Sequence, residues 1–389
     1  MNWDDEIIDE AATDTGMRRS NNQDSYTIVR APNAEAWRQR GHVFLVADGM
    51  GAHAVGELAS KMACDLIPHN YMKTRVGTPA EAAVKTFRSV SALIHSKATA
   101  NSDFKGMGTT ASALLLLPEG ALIAHVGDSR VYRIRRGRID QLSFDHSLVW
   151  ELVRRNHLTP DQARLSVPKN VITRSLGPEA EIEVDIEGPL RVEVGDVYLL
   201  CSDGLSGPVD DPELGVFAEN FHPRDACRYL VSLANLRGGL DNITLLVVRI
   251  GAWVDRDSTE IVQLPDETPE GDGTAKTGWS RRLAGLFKGR RKGADAEPVE
   301  EHLYRSADCP ISEDLIVRLD DLTRASQEQA IEQAWPIDWT LLASLRRQQA
   351  EARAARNDWV ALRKIGEVIH MLGTGARFHR KAVGSADRR

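Results

Sequence analysis

The chain has 389 residues, enough for two or three domains at about 150 residues each. With 42% hydrophobic and 27% charged residues, its composition is that of a folded globular protein and excludes a wholly disordered chain. The formal net charge of -7 argues against nucleic-acid binding by the chain as a whole, and no C-x-x-C spacing among the four cysteines indicates a zinc site or disulfide framework.

The N-terminus reads MNWDDEIIDE, which is acidic and lacks the basic and then apolar regions of a signal peptide. No apolar run reaches the ~18 residues that a membrane-spanning helix needs. Together with cysteines that lack a disulfide pattern, these features predict a cytoplasmic protein with reduced, buried thiols.

From about residue 12 to 250, short apolar runs that end in Gly or Asp predict strands. Gly120 and Gly137 predict tight turns between neighbouring strands. Helices are predicted over roughly 56–71, 79–99 and 223–236. Hairpins interspersed with helices favour an α+β fold over a doubly wound parallel sheet.

The composition changes after Ile250. Acidic residues dominate 255–272, Lys and Arg dominate 273–294, and acidic residues then return. This predicts a flexible charged linker over 252–310 that contains a basic stretch at 276–292. Apolar residues at helical spacing predict a small helical domain over 311–380, with Pro336 separating two of its helices.

Four aspartates stand where predicted strands begin or end. Asp48 follows VFLVA, Asp128 follows LIAHVG, Asp203 follows VYLLCS and Asp241 precedes NITLLVV. Carboxylates gathered at one edge repel each other unless cations lie between them, and ligands that offer only oxygen favour Mg²⁺ or Mn²⁺. Two such ions can activate a bridging water and hold a phosphoryl group. Each Asp-Gly alone is typical of an ordinary turn, so the prediction depends on the ordered set.

At eight segments in order, the sequence resembles the protein phosphatase 2C type of metal-dependent Ser/Thr phosphatases, in particular the bacterial branch. The segments are TGMRRSNNQDS, VADGMGAHAVGELAS, GMGTT, HVGDSRVYRI, FDHS, NVITRSLG, CSDGL and GGLDNITLLVV. The resemblance assigns a phosphatase domain to residues 9–251. It implies a four-layer α-β-β-α sandwich of two antiparallel sheets, with a binuclear site at one end.

The resemblance also implies a metal-ligand set. Asp48 would bridge two Mn²⁺ or Mg²⁺ ions, and the carbonyl of Gly49 would ligate one of them. Asp203 and Asp241 would complete the shell of the other ion. Asp128, with Asp203, would hold a third and looser ion.

Other positions would handle the phosphate and the bound water. Asp24 would support the site directly or through metal-bound water, and Gln23 replaces the glutamate that many members carry before it. Arg19 stands where the family has a phosphate-binding arginine, and a guanidinium fork suits a phosphate. Arg18 beside it could share the role.

The general acid remains open at this stage. Met50 occupies the position where eukaryotic members carry a histidine. His53, three residues on, could protonate the leaving group, or it could simply order the entry to the following helix.

The resemblance implies hydrolysis of phosphoprotein monoesters by a water or hydroxide that bridges the metals. The substrates would be phosphorylated Ser/Thr proteins, the products of a Ser/Thr kinase, and no nucleic-acid partner is expected. The alternative function is a catalytically weak phosphoprotein-binding or scaffolding module that acts through its helical tail.

The tail allows two interpretations. WSRRLAGLFKGRRKG could form a basic amphipathic helix for an anionic membrane surface or an acidic partner, whereas Gly285 and Gly289 favour a flexible basic linker. The terminal helices could dock a partner or form a satellite bundle. Removal of the residues after about 250 is expected to leave small-substrate activity largely intact.

Overall fold

The computed structural model describes residues 7–51, 55–154, 171–253 and 304–386. In chain order, the strands are β1 (Ile7–Asp14), β2 (Asp24–Val29), β3 (His42–Met50), β4 (Gly108–Thr109), β5 (Ala111–Leu117), β6 (Gly120–Val126), β7 (Arg130–Arg135), β8 (Arg138–Gln141), β9 (Asp185–Leu190), β10 (Val197–Cys201), β11 (Ile243–Ile250) and β12 (Arg305–Asp308). They form two antiparallel sheets. The first has the order β1-β11-β10-β7-β8-β12, and the second has the order β2-β3-β5-β6-β9 with β4 paired to β3.

The helices flank these sheets. In chain order they are α1 (Ala34–Arg40), α2 (Val55–Lys73), α3 (Pro79–Ala100), α4 (Leu148–Arg154), α5 (Asp203–Ser206), α6 (Asp211–Asn220), α7 (Pro223–Leu236), α8 (Glu313–Glu332), α9 (Trp339–Ala354) and α10 (Asp358–Ala386). The predicted helices over 56–71, 79–99 and 223–236 are thus confirmed as α2, α3 and α7. No helix among the described residues has the length and apolar character needed to cross a bilayer.

Strand β3 shows how the layers stack. Its residues Val43, Leu45 and Ala47 pack with the core under α2 and α3, whereas Phe44 and Val46 lie in the core between the two sheets. Successive side chains on a strand point to opposite faces, so a strand that is apolar throughout can be buried on both. The result is the predicted α-β-β-α sandwich.

The predicted tight turns are also confirmed. Strands β7 and β8 pair across Arg136 and Gly137, whose φ angles are 54° and 76°. Positive φ at both central residues matches the twist of a two-residue hairpin. Strands β5 and β6 likewise pair up to Leu117 and Gly120.

All four cysteines are buried and free of disulfides, as the sequence predicted. Burial raises the pKa of each thiol; for Cys201 it rises to about 12. These side chains therefore serve as small core residues.

The C-terminal helices pack against α7 and extend the core of the first sheet. Apolar residues of α8 and α10 join one buried cluster with residues of α6, α7, β10 and β11. A Cβ on Gly366 would lie 2.8 Å from the Tyr229 ring, and one on Gly373 would lie 2.7 Å from Ser232 Cβ. These glycines allow α10 to approach α7 closely.

The region predicted as a linker lies mostly outside the described residues, and the basic stretch 276–292 lies wholly outside them. Near the end of that region, Arg305–Asp308 form β12 and pair with β8. The described residues 304–386 belong to the same compact unit as those before residue 254. The division into a linker and a separate helical domain stays a prediction.

Asp320 holds α8 to α9. Its Oδ1 accepts hydrogen bonds from Arg346 Nη1 at 2.8 Å and Gln349 Nε2 at 2.7 Å, and its Oδ2 accepts one from Arg324 Nε at 3.0 Å. Its side chain is only 5% exposed. The Asp320 carboxylate therefore neutralises the charge of the largely buried Arg346 guanidinium.

We expect Asp320→Ala to lower the free energy of unfolding by about 3 kcal/mol, because Arg346 would lose its anion while remaining partly buried. Denaturant unfolding followed by circular dichroism measures this change. Asp321→Ala removes an exposed carboxylate at the next position, and we expect a loss of about 0.5 kcal/mol or less for it. Equal losses for the two variants would contradict the role of Asp320.

Candidate active site

Five aspartates meet at one end of the sandwich. Asp24 begins β2 and faces Asp48 across the antiparallel pair with β3. Asp128 follows β6, Asp203 begins α5 with one residue between it and the end of β10, and Asp241 lies just before β11. The negative charges of the other four all act on Asp48. The structure thus brings together the aspartates that the sequence singled out at strand ends.

Backbone contacts place Asp48. Its N–H donates to Thr110 Oγ1 at 2.8 Å, and its carbonyl accepts from Thr109 Oγ1 and Thr110 N at 2.9 Å each. At the next residue, a Cβ on Gly49 would lie 2.1 Å from the Gly56 carbonyl oxygen. Only glycine fits between the end of β3 and the first turn of α2.

Burial and mutual repulsion disfavour ionised carboxylates here. Burial first, and then the charge of Asp24, raises the pKa of Asp48 well above its usual value. Burial also raises the pKa of Asp24, although Ser202 Oγ donates a hydrogen bond to its Oδ2 at 2.7 Å. Burial is also the main cause that raises the pKa values of Asp128 and Asp203. Metal cations at this place would remove the penalty.

Three of these side chains have an oxygen that lacks a partner. The Oδ1 atoms of Asp24, Asp128 and Asp203 are buried and accept no hydrogen bond from any described residue. Unpartnered buried carboxylate oxygens are costly, and an ion or water is their usual explanation. Because every donor is oxygen, the set suits Mg²⁺ or Mn²⁺.

An internal ion pair relieves part of the charge in the protein alone. Arg19 Nη2 donates to Asp241 Oδ2 at 2.7 Å. Within the described ranges, no three carboxylate, imidazole or thiol side chains already form a group that could hold a metal ion. Metal binding by Asp241 would therefore require its contact with Arg19 to rearrange.

Arg19 supplies the positive charge at the rim. The hydrogen bond to Asp241 is the main cause that raises its pKa, and the charges of Asp48 and Asp203 add to it. Its side chain is 51% exposed, so the guanidinium can also meet a ligand from solvent. Arg18 is exposed beside it, but the arginine that donates to Asp241 is Arg19.

Two polar residues that the sequence did not single out organise the site. Ser202 donates to Asp24, as described above. Asn242 accepts from Gln23 N at 2.8 Å through Oδ1 and donates from Nδ2 to the carbonyls of Thr15 and Asn21 at 3.1 and 2.9 Å. Both lie beside the motif aspartates, at positions where short polar residues are also typical of turns.

His53 lies outside the described residues, so the choice between a general acid and a loop-ordering residue stays a prediction. Gln23 is described, and its Nε2 donates to the Gly51 carbonyl at 3.3 Å. Met50 is the last residue of β3.

Arg130, Asp145 and His146 support the loops around the site. Arg130 binds Asp145 with two donors, its Nε at 3.0 Å and its Nη2 at 2.7 Å. His146 Nδ1 accepts from Gly127 N at 3.0 Å, directly before Asp128. These contacts tie the residues on either side of Asp128 to the loop that carries Asp145 and His146.

Comparison with known proteins gives consistent matches. Residues 17–235 match the family described as Protein phosphatase 2C. Protein phosphatase PhpP of Streptococcus pneumoniae is 36% identical over 242 residues, which covers 61% of this chain and 94% of that protein.

Solved structures agree with these sequence matches. The S. agalactiae serine/threonine phosphatase is 33% identical, with a TM-score of 0.57 over 63% of this chain and 99% of that one. The catalytic domain of the serine/threonine protein phosphatase PstP, solved with two manganese ions, is 31% identical, with a TM-score of 0.54 over 64% of this chain and 99% of that one.

Proposed function

The chain belongs to the protein phosphatase 2C family and is a Ser/Thr protein phosphatase, and from this premise we propose that its activity depends on Mn²⁺ or Mg²⁺ held by the aspartate group. The observation that carries the proposal is the set of unpartnered, buried Oδ1 atoms on Asp24, Asp128 and Asp203. The manganese ions in the PstP structure support the choice of metal.

We assign the ligands residue by residue. Asp48, the Gly49 carbonyl, Asp203 and Asp241 would hold two ions, and Asp128 together with Asp203 would hold a third, looser one. Bound there, the ions would lower the pKa of the attacking water and neutralise charge on the phosphoryl oxygens.

Asp24, Arg19 and His53 have separate proposed roles around the metal ligands. Asp24, held by Ser202, accepts hydrogen bonds from water at the site. If Asp241 serves as a ligand, its Oδ2 no longer binds Arg19, and the guanidinium fork is available for the phosphate of the substrate. We keep His53 as the candidate that protonates the leaving alkoxide.

The proposed substrates are phosphorylated Ser/Thr proteins made by a Ser/Thr kinase. We propose a cytoplasmic site of action, which four free, buried cysteines support. A protein partner or an anionic membrane at the basic stretch 276–292 stays a prediction from sequence.

A direct test compares hydrolysis of p-nitrophenyl phosphate and of a phosphothreonine peptide with Mn²⁺ and with a chelator. We expect turnover with Mn²⁺ or Mg²⁺, at least about a thousandfold loss with excess EDTA, and recovery when Mn²⁺ is restored. We also expect Mn²⁺ to raise the melting temperature, because the ions bind the folded state. Equal turnover with and without EDTA would contradict the proposal.

A further inference from the structure

The last helix, α10, contacts the loop that carries Arg19. Arg380 Nη2 donates to the carbonyl oxygen of Arg19 at 2.5 Å, and its Nη1 donates to the carbonyl oxygen of Gly16. One turn earlier, Arg377 Nη1 donates to Asp14 Oδ2 at 2.8 Å. One guanidinium therefore bridges both ends of the segment 16–19, and a second binds the residue that ends β1.

The opposite side of this loop rests on the aspartate group. Met17 N donates to the Gly239 carbonyl at 2.6 Å, and Asn242 binds the Thr15 carbonyl as described above. Gly16 has a φ of 75°, and a Cβ there would lie 2.1 Å from the Asp241 carbonyl oxygen. The loop thus lies directly against the backbone of Asp241.

Apolar packing joins the same two regions. The side chain of Met17 packs against a buried cluster of the C-terminal helices that includes Trp335, Leu372 and Ala376. The loop is therefore held between the catalytic end of the sandwich and α10. Contacts from both sides restrict the backbone that precedes the Arg19 side chain.

We propose that α10 is a positioning element of the phosphatase, in which Arg377 and Arg380 hold the segment 14–19 so that Arg19 faces the phosphate. This inference rests on the proposed phosphate-binding role of Arg19. The side chain of Arg19 is half exposed and long, so it would lose much rotamer freedom on binding a ligand. A fixed backbone reduces that cost and favours the binding geometry. Displacement of α10 by a partner would therefore weaken phosphate binding.

The chemistry of Arg380 makes the proposal specific. A guanidinium presents several N–H donors in a rigid fork, so it can bind two carbonyl oxygens at once. A lysine ammonium keeps the charge but is a point donor on a flexible stem. Arg380→Lys should therefore keep the positive charge but lose the bridge between the carbonyl oxygens of Gly16 and Arg19.

In the full chain with Mn²⁺, we expect Arg380→Ala to raise both the KM for a phosphothreonine peptide and the inhibition constant of inorganic phosphate about tenfold. We expect kcat to change by less than about threefold, since the aspartate group is untouched. Arg380→Lys should show a smaller rise of the same kind. Lys381→Ala removes an exposed positive charge at the next position and should leave both constants unchanged.

A double mutant tests the route through Arg19. Once Arg19→Ala has removed the phosphate ligand, Arg380→Ala should raise neither constant further, because the two changes act on one interaction. Additive effects would overturn the inference. If Arg380→Ala lowers the melting temperature sharply, Arg380→Lys in the same cycle replaces it.

Amide hydrogen exchange in the metal-free protein provides a readout apart from activity. We expect the amides of residues 16–19 to exchange faster in Arg380→Ala than in the wild type or Lys381→Ala. Wild-type KM, inhibition constant and exchange in Arg380→Ala would overturn the role of α10 and leave the phosphatase proposal standing. A wild-type protein without metal-dependent turnover would instead contradict the proposed function.

Discussion

Asp203→Asn is expected to lower kcat/KM for a phosphothreonine peptide at least about a thousandfold and, at the same time, to raise the melting temperature of the metal-free protein. Burial and the nearby Asp241 raise the pKa of Asp203, which means that its ionised form costs folding free energy at neutral pH. A neutral amide of nearly the same shape removes that cost. It also removes the charge that we assign to metal binding.

The two effects separate function from fold. Activity assays with Mn²⁺ measure the first, and thermal unfolding in EDTA measures the second. The stabilisation that Mn²⁺ gives the wild type should shrink in Asp203→Asn. Asp65→Asn, which makes the same change at an exposed position on α2, is the matched control and should change neither property. Wild-type turnover in Asp203→Asn would refute the ligand role.

A chain that ends after Ile311 is expected to lose at least about 5 kcal/mol of stability, because burial of an aliphatic side chain contributes about 1.5–3 kcal/mol. This truncation removes α8, α9 and α10, whose buried residues share a core with α7 and the first sheet. Leu315, Leu319, Ile365 and Ile369 are among them, each at most 3% exposed. The outer side of α7, including Ser232, would become exposed to water.

Thermal unfolding and size-exclusion chromatography measure this loss. We expect a melting temperature at least about 10 °C lower, with aggregation from the exposed face of α7. A chain that ends after Val383 keeps Arg377 and Arg380 and is the control. The sequence predicted that small-substrate activity survives removal of the residues after about 250, whereas the contacts of α10 lead us to expect that removal of these helices costs much of the stability of the fold. A wild-type melting temperature after truncation at Ile311 would contradict this.

The C-terminal helices lie outside residues 17–235, the part of the chain that matches the family. The match to PhpP covers 94% of that protein but only 61% of this chain. Nearly the whole relative therefore corresponds to about three fifths of this chain, and α7 here is covered by additional helices. Tyr229 and Ser232 on α7 are buried in this chain, as expected for a surface that the C-terminal helices cover.

Much of the fold follows from local patterns. Strand β3 could be predicted because its apolar run is bounded by Gly41 and by Asp48-Gly49, and the β7–β8 turn could be predicted from Gly137. The aspartates could be selected because each stands at the boundary of a strand, where a sheet edge meets solvent. Such features depend on residues close together in the chain, so periodicity and turn chemistry reveal them.

The support of the site could not be predicted in the same way. Arg380 binds the carbonyl of Arg19 across 361 residues, and α10 contains four other arginines and lysines, with no local feature that marks this one. Asn242 and Ser202 resemble ordinary turn residues. Arg19 itself was identified, but its hydrogen bond to Asp241 joins residues 222 apart in the chain.

By itself, then, the sequence determined a modestly acidic chain with an α+β phosphatase region and a set of strand-end aspartates. Its net charge of -7 includes both the aspartates buried at the active site and charged residues exposed to solvent. Only the tertiary structure decided that the aspartates lie together in a buried cluster. It also decided that Arg377 and Arg380 of the last helix contact the loop that carries Arg19. The physical reason is that local propensities determine strands, turns and helices, whereas burial, pKa shifts and charge pairing depend on residues that meet only in the folded chain.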